Sequence, residues 1–172
     1  LAMDLEQSES YVITAFGIVG DNNKPFNLLS SSLTQNATND DNVTIKLMHG
    51  VTDAPAIDIY ANGSLVFENI SYGKYSDYIN IEADNYTIDV KAYGDDNTVA
   101  SFDAPLNSYG GRSGIVVASG FLTPTEQDST FTLILAAPDG ETLQLAPVKT
   151  DLSIQDDKSI IASDIYSISN YP

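Results

Sequence analysis

The feature that most constrains this chain is a hydrophobic alternation of period two, broken at short intervals by clusters of Gly, Pro, Asn and Asp. Successive side chains of a strand point to opposite faces, so such a pattern describes half-buried strands and not helices. Tyr86-Thr87-Ile88-Asp89-Val90-Lys91-Ala92-Tyr93 puts Tyr86, Ile88, Val90 and Ala92 on one face and Thr87, Asp89 and Lys91 on the other. Ala56-Ile57-Asp58-Ile59-Tyr60-Ala61 alternates likewise. Asn62-Gly63 then supplies the positive φ angles of a tight turn, and Ser64-Leu65-Val66-Phe67 returns as a hairpin. Further strands are expected at Val43 to Met48, Tyr78 to Ile81, Thr98 to Phe102, Ile115 to Ser119, Phe131 to Ala136 and Thr142 to Leu145. No segment has ten residues of capped 3.6 periodicity. Short strands at this spacing predict an all-β sandwich or barrel. Its one core is expected to hold Ile57, Ile59, Leu65, Phe67, Ile79, Ile88, Val90, Val116 and Leu133.

The chain also matches itself. Tyr11-Val12-Ile13-Thr14-Ala15-Phe16-Gly17-Ile18-Val19 aligns with Gly114-Ile115-Val116-Val117-Ala118-Ser119-Gly120-Phe121-Leu122 at an offset of 103, and Phe26-Asn27-Leu28-Leu29 then aligns with Phe131-Thr132-Leu133-Ile134. Residues 1–33 therefore read as the C-terminal hairpin of a preceding repeat or as a strand-exchange segment. A polar, sequence-simple run from Ser30 passes into a linker at 34–41. The complete module is expected over 42–147, followed by a linker or lead-in at 148–172. The residue 10–31 hairpin should not complete that module's core, because the module already has its own copy of it. Val12, Ile13, Phe16, Ile18, Phe26 and Leu28 are too apolar to be left uncovered.

Composition decides which partners to expect. Seven Lys and Arg stand against 24 Asp and Glu in 172 residues, a formal charge of −17, so nucleic acid and anionic lipid would be repelled. No run of 18 apolar residues exists to span a membrane, so no membrane insertion is expected. With no cysteine there is no disulfide or thiolate chemistry, and a cysteine-free surface module fits bacterial export better than eukaryotic secretion. The opening Leu1-Ala2-Met3-Asp4 lacks the regions of a signal peptide, so any export signal is expected outside this segment.

The stretch Ile45-Lys46-Leu47-Met48-His49-Gly50-Val51-Thr52-Asp53-Ala54-Pro55-Ala56-Ile57-Asp58-Ile59-Tyr60-Ala61-Asn62-Gly63 resembles the opening of a bacterial family called domain of unknown function 4397. That pattern is a strand ending in His, a loop ending in Asp-Ala-Pro, a strand ending in Asp-x-Tyr, and a hairpin turn. Later pieces agree: Phe67-Glu68-Asn69-Ile70-Ser71-Tyr72-Gly73, Ser76-Asp77-Tyr78, Tyr86-Thr87-Ile88-Asp89-Val90 and Ile115-Val116-Val117-Ala118-Ser119-Gly120. The resemblance covers roughly residues 42 to 147. It implies an immunoglobulin-like antiparallel β-sandwich, here with an extra N-terminal β-hairpin, of a kind secreted or lipid-anchored and often in tandem. It brings no function with it.

Within that motif the candidate binding residues are His49, Asp53, Asp58 and Tyr60. A structural role has Asp53 accepting from backbone amides two residues on, Pro55 fixing the loop exit and His49 satisfying a carbonyl at a strand end. The alternative gathers His49, Asp53 and Asp58 into a polar or calcium site, since carboxylates and loop carbonyls suit that cation. No other cofactor is expected. The acid-rich turns Gly20-Asp21-Asn22-Asn23, Asp40-Asp41-Asn42 and Gly94-Asp95-Asp96-Asn97 have ordinary turn composition. Tyr72, Tyr75, Tyr78, Tyr86 and Tyr93 read as rings buried at sheet rims with wet hydroxyls, against a platform for sugars or a partner.

At the far end, Asp164-Ile165-Tyr166-Ser167-Ile168-Ser169-Asn170-Tyr171-Pro172 resembles the lead-in to the sorting domain of the type IX secretion system of Bacteroidota. Five Asn-x-Ser/Thr sequons, at Asn36, Asn42, Asn62, Asn69 and Asn85, would not be read by a eukaryotic-type transferase in such a source. The functional expectation is a non-catalytic extracellular or cell-surface module for binding, adhesion or assembly. Its partners would be proteins or glycans at the bacterial surface, copies of itself included. One alternative is a filament subunit joined by strand donation; another is a hydrolase with a loop carboxylate pair, for which no Gly-x-Ser-x-Gly elbow accompanies the lone His49 as an acyl-transfer option.

Overall fold

The computed structural model describes residue 7 and residues 9–34 and 36–148, all strand, turn or irregular with no helix. The sorting-domain resemblance at 164–172 lies outside the described residues. In chain order the strands are β1 (Tyr11–Phe16), β2 (Asn27–Ser32), β3 (Asn42–His49), β4 (Ile57–Ala61), β5 (Ser64–Ile70), β6 (Ile79–Glu82), β7 (Asn85–Ala92), β8 (Thr98–Pro105), β9 (Ser113–Ser119), β10 (Thr132–Ala136), β11 (Thr142–Gln144) and β12 (Ala146–Pro147).

Among the described residues, two five-stranded sheets make the sandwich, in the orders β11-β10-β9-β3-β6 and β12-β8-β7-β4-β5. Strands β1 and β2 form a sheet of their own. The alternation read from the sequence sets the inward faces. Val43, Ile45 and Leu47 of β3, Ile57, Ile59 and Ala61 of β4, Ile88 and Val90 of β7, Phe102 and Ala104 of β8, and Leu133 and Leu135 of β10 share one core. Burying an aliphatic or aromatic side chain of this size contributes roughly 1.5–3 kcal/mol, which is what holds a cysteine-free sandwich together. Among the described residues the core is drawn from the sandwich strands and the loops between them, and takes nothing from the β1–β2 hairpin.

Two expectations need correction. Among the described residues, pairing between the named strands is antiparallel except between β3 and β9, which run parallel in register from Thr44 opposite Ser113 to His49 opposite Ala118. The chain changes sheets between these two strands and reaches β9 travelling in the direction of β3. Leu65, expected inside, is 46% exposed. The Asn62-Gly63 turn forms as expected, with φ of 47° and 79°, but a bulge follows it. Ile59 pairs with Phe67 while Tyr60 pairs with Leu65, so Val66 is the extra residue. The bulge turns Val66 toward the core and Leu65 outward.

Strand β3 is buried on both faces: Thr44, Lys46 and Met48, pointing away from the core, are as hidden as their neighbours. The cover comes from two sides: Ser31 of the β1–β2 hairpin accepts from Lys46, and Tyr75 and Tyr78, between β5 and β6, stand against the Lys46 ammonium. The polar run from Ser30 begins inside β2, and the linker after it lies against the sandwich. Ala37 N–H donates to the Gly111 carbonyl at 3.0 Å. Gly110 must lack a side chain because a Cβ there would stand 2.2 Å from the Asp40 carbonyl oxygen.

Candidate functional site

His49 ends β3 and is fully buried. Its Nε2 lies 2.9 Å from the Pro55 carbonyl oxygen, and the Val51 N–H donates to its Nδ1 at 3.3 Å. A carbonyl can only accept and an N–H can only donate, so the ring is neutral with its proton on Nε2. Burial pushes the imidazole below its ordinary range against the raising effect of the Pro55 carbonyl. Both nitrogens thus clamp the loop between β3 and β4.

Asp53, in that same loop, reaches across to the turn after β9 instead of to its own neighbours. Its Oδ1 accepts from the Leu122 N–H at 2.9 Å, and its Oδ2 accepts from the Thr123 N–H at 2.9 Å and the Thr123 hydroxyl at 2.8 Å. Burial pushes this carboxyl up, but the bonds from Thr123 and Leu122 together outweigh it and hold the group below its usual range. The carboxylate is a tie between two loops some seventy residues apart, which no local turn pattern could disclose.

Asp58, on the outward face of β4, is buried and accepts from the Asn69 N–H at 2.7 Å, across the bulged hairpin. Tyr60, two residues on, carries the Lys91 ammonium 4.6 Å above its ring. The four sequence candidates are therefore not gathered into one site: His49 and Asp53 close the β3–β4 loop, and Asp58 and Tyr60 line the back of the other sheet. Among the described residues no three His, Asp or Glu side chains are grouped to hold a metal ion.

What the structure does gather is the seat of the hairpin. Phe16 meets Tyr72 edge-on, with ring centroids 5.6 Å apart, and the Lys24 ammonium stands 4.1 Å from the centroid of the Tyr72 ring. Thr14 and Tyr75 share a hydroxyl–hydroxyl hydrogen bond of 2.6 Å. The Thr34 N–H donates to the Tyr78 hydroxyl at 3.2 Å. Between them, Lys46 donates to the Ser31 hydroxyl at 2.8 Å with its ammonium 4.2 Å over the Tyr78 ring. Burial pushes this lysine below its ordinary range, with Asp77 opposing. Tyr72, Tyr75 and Tyr78 are thus joint residues, not free rims, whereas Tyr86 donates to the Glu82 carbonyl at 2.9 Å and Tyr93 is exposed.

Sequence reading missed Phe16 and Lys46 in this role. No local signal marks the second: Thr44 and Lys46 alternate with Val43, Ile45 and Leu47 as they would on a strand with one wet face.

This geometry defines a class: an acidic two-sheet β-sandwich module with a separate hairpin seated on its outer face. Residues 43–158 match the family described as Domain of unknown function (DUF4397), and the chain belongs to it. No curated protein and no solved structure matches the chain.

Proposed function

We propose that this chain is a non-catalytic module for binding or assembly at the outer surface of a bacterium. The observation that carries the reading is the hairpin seat, where Phe16, Thr14 and Ser31 meet Tyr72, Tyr75 and Lys46. It is an aromatic, hydrogen-bonded surface on a sandwich face that receives an added β-element, the kind of contact from which surface arrays are built. His49, Asp53 and Asp58 support the same reading, since each is engaged with backbone groups that hold loops in place. For ligand binding, the groove of about 390 Å³ between hairpin and sandwich, lined by Thr14, Phe16, Met48, Thr52 and Asp128, is the location of choice. The Thr52 hydroxyl there is buried without a hydrogen-bond partner.

The test pairs a glycan array and a pull-down of surface proteins with panels of glycosidase and esterase substrates. Binding without turnover is the expected result. Turnover that disappears when one pair of loop acids is changed to amides would overturn the reading in favour of a hydrolase.

A further inference from the structure

The β1–β2 hairpin reproduces the register and the turn bonds of the β9–β10 hairpin. Thr14 pairs with Leu29 as Val117 pairs with Ile134. Gly17 and Gly120 follow the first strands with φ of +90° and +88°. Beyond them the Ile18 N–H donates to the Lys24 carbonyl at 2.8 Å and the Phe26 N–H to the Ile18 carbonyl at 3.1 Å. The second copy has Phe121 to Ser129 at 3.0 Å and Phe131 to Phe121 at 2.9 Å. Each copy closes with a parallel bridge, Ile18 to Pro25 in one and Phe121 to Thr130 in the other.

The faces correspond too. In the sandwich, Val116 and Ala118 of β9 and Leu133 and Leu135 of β10 turn into the core, and Phe131 packs edge-on against Phe102 at 5.4 Å. Their equivalents in the first hairpin are Ile13, Ala15, Leu28, Ser30 and Phe26. That face points away from the sandwich: Ile13 and Phe26 are each 51% exposed. The opposite face, with Thr14, Phe16 and Ser31, is the one that docks. Size is redistributed as in a packed core. A Cβ on Gly114 would stand 2.6 Å from a Leu135 methyl, and the equivalent positions hold the reverse order of bulk, Tyr11 and Ser30. The edges tell the same story. Strand β9 lies between β10 and β3, while among the described residues β1 pairs with β2 alone.

We propose that the β1–β2 hairpin closes a second sandwich of this family. Its face of Ile13, Ala15, Phe26 and Leu28 is a core face, completed by that sandwich's front strands, which precede the hairpin in the same polypeptide. The seat at Tyr72, Tyr75, Tyr78 and Lys46 is then the junction between consecutive modules. Another copy of this chain is the weaker occupant, because its β3 is already held between β6 and β9 and it has no strand of that kind to lend. The proposal goes beyond the functional reading above and stands whether or not the module binds a ligand.

The cysteine-free background allows a direct test. Single substitutions Ile13→Cys and Phe26→Cys report on the face, and Val19→Cys, in a turn 84% exposed, is the control. In residues 1–172 all three should label with a thiol reagent at similar rates. In the whole natural protein the first two should label on the order of 100-fold more slowly, while Val19→Cys is unchanged. Equal labelling of all three in the whole protein would overturn the proposal. So would protection within residues 1–172 that grows with concentration, which would assign the face to a second copy. If the cysteine variants do not fold, hydrogen exchange of the unmodified protein decides: the Ile13 and Ala15 amides must be slow in the whole protein and fast in residues 1–172.

Discussion

Gly17 and Gly120 hold the same bend in two hairpins, where a Cβ would meet the Pro25 carbonyl oxygen at 2.2 Å and the Thr130 carbonyl oxygen at 2.3 Å. Alanine is excluded at both by contact and by backbone angle, but the consequences differ. Gly120→Ala disturbs strands that share the core and should lower stability by roughly 2–3 kcal/mol. Gly17→Ala disturbs only the docked hairpin and should shift the main calorimetric transition by less than about 1 kcal/mol. Equal losses would mean that hairpin and sandwich unfold as one unit.

Removing the hairpin altogether should leave a folded protein. Residues 34–172 keep both five-stranded sheets and the whole core, so they should give β-type circular dichroism and a monomeric mass, with a lower melting temperature because Met48 and Lys46 become exposed. A short form that is unfolded beside a stable long form would place the hairpin in the cooperative core.

His49 makes stability fall in mild acid. Its folded pKa lies below the ordinary 6.5 because burial disfavours the charged ring. As pH drops from about 6.5 the unfolded chain takes up the proton first, and stability declines until the lowered folded value is passed. Urea titrations at pH 7.5 and 5.5 should show the loss in the native protein. His49→Gln should lower stability at pH 7.5 by roughly 2–4 kcal/mol through lost packing and an unmet Pro55 carbonyl, and should flatten the pH dependence.

Asp53 titrates the other way. Its carboxyl is held below 3.8 in the fold, so its contribution is complete above that value and is lost as pH falls through the folded one. Asp53→Asn should cost about 1–2 kcal/mol at pH 7 and loosen the turn at Thr123, read as faster amide exchange at Leu122 and Thr123.

Calcium should have little effect. Asp21, Asp95, Asp128 and Asp139 are engaged with backbone N–H groups of their own turns. Millimolar calcium is therefore expected to raise the melting temperature by only a few degrees. A rise above about 10 °C, worth roughly 2 kcal/mol of linkage, would establish a real site.

Much of the architecture was legible. Nine sandwich strands, from β3 to β11, lie within a few residues of the alternating segments, because period two with one buried face is a local property. The hairpin at 11–32 and its likeness to the second copy were legible for the same reason. The candidate site was not. Asp53 sits in a motif whose local turn chemistry is plausible by itself, yet its partners are Leu122 and Thr123. Lys46 reads as an ordinary outward residue until Ser31 and Tyr78 are placed over it.

By itself the sequence determined where strands run, which side of each is apolar, and that one hairpin occurs twice, since all three follow from side-chain order along the backbone. Tertiary structure decided what depends on how distant segments meet. It put β3 parallel to β9, turned Leu65 outward through a one-residue bulge, and chose which of the hairpin's two faces is docked. Both hairpin faces carry apolar residues, so alternation alone could not rank them. The choice came from complementarity, with Phe16 and Thr14 finding Tyr72 and Tyr75 on a sheet already built, while Ile13 and Phe26 were left facing out.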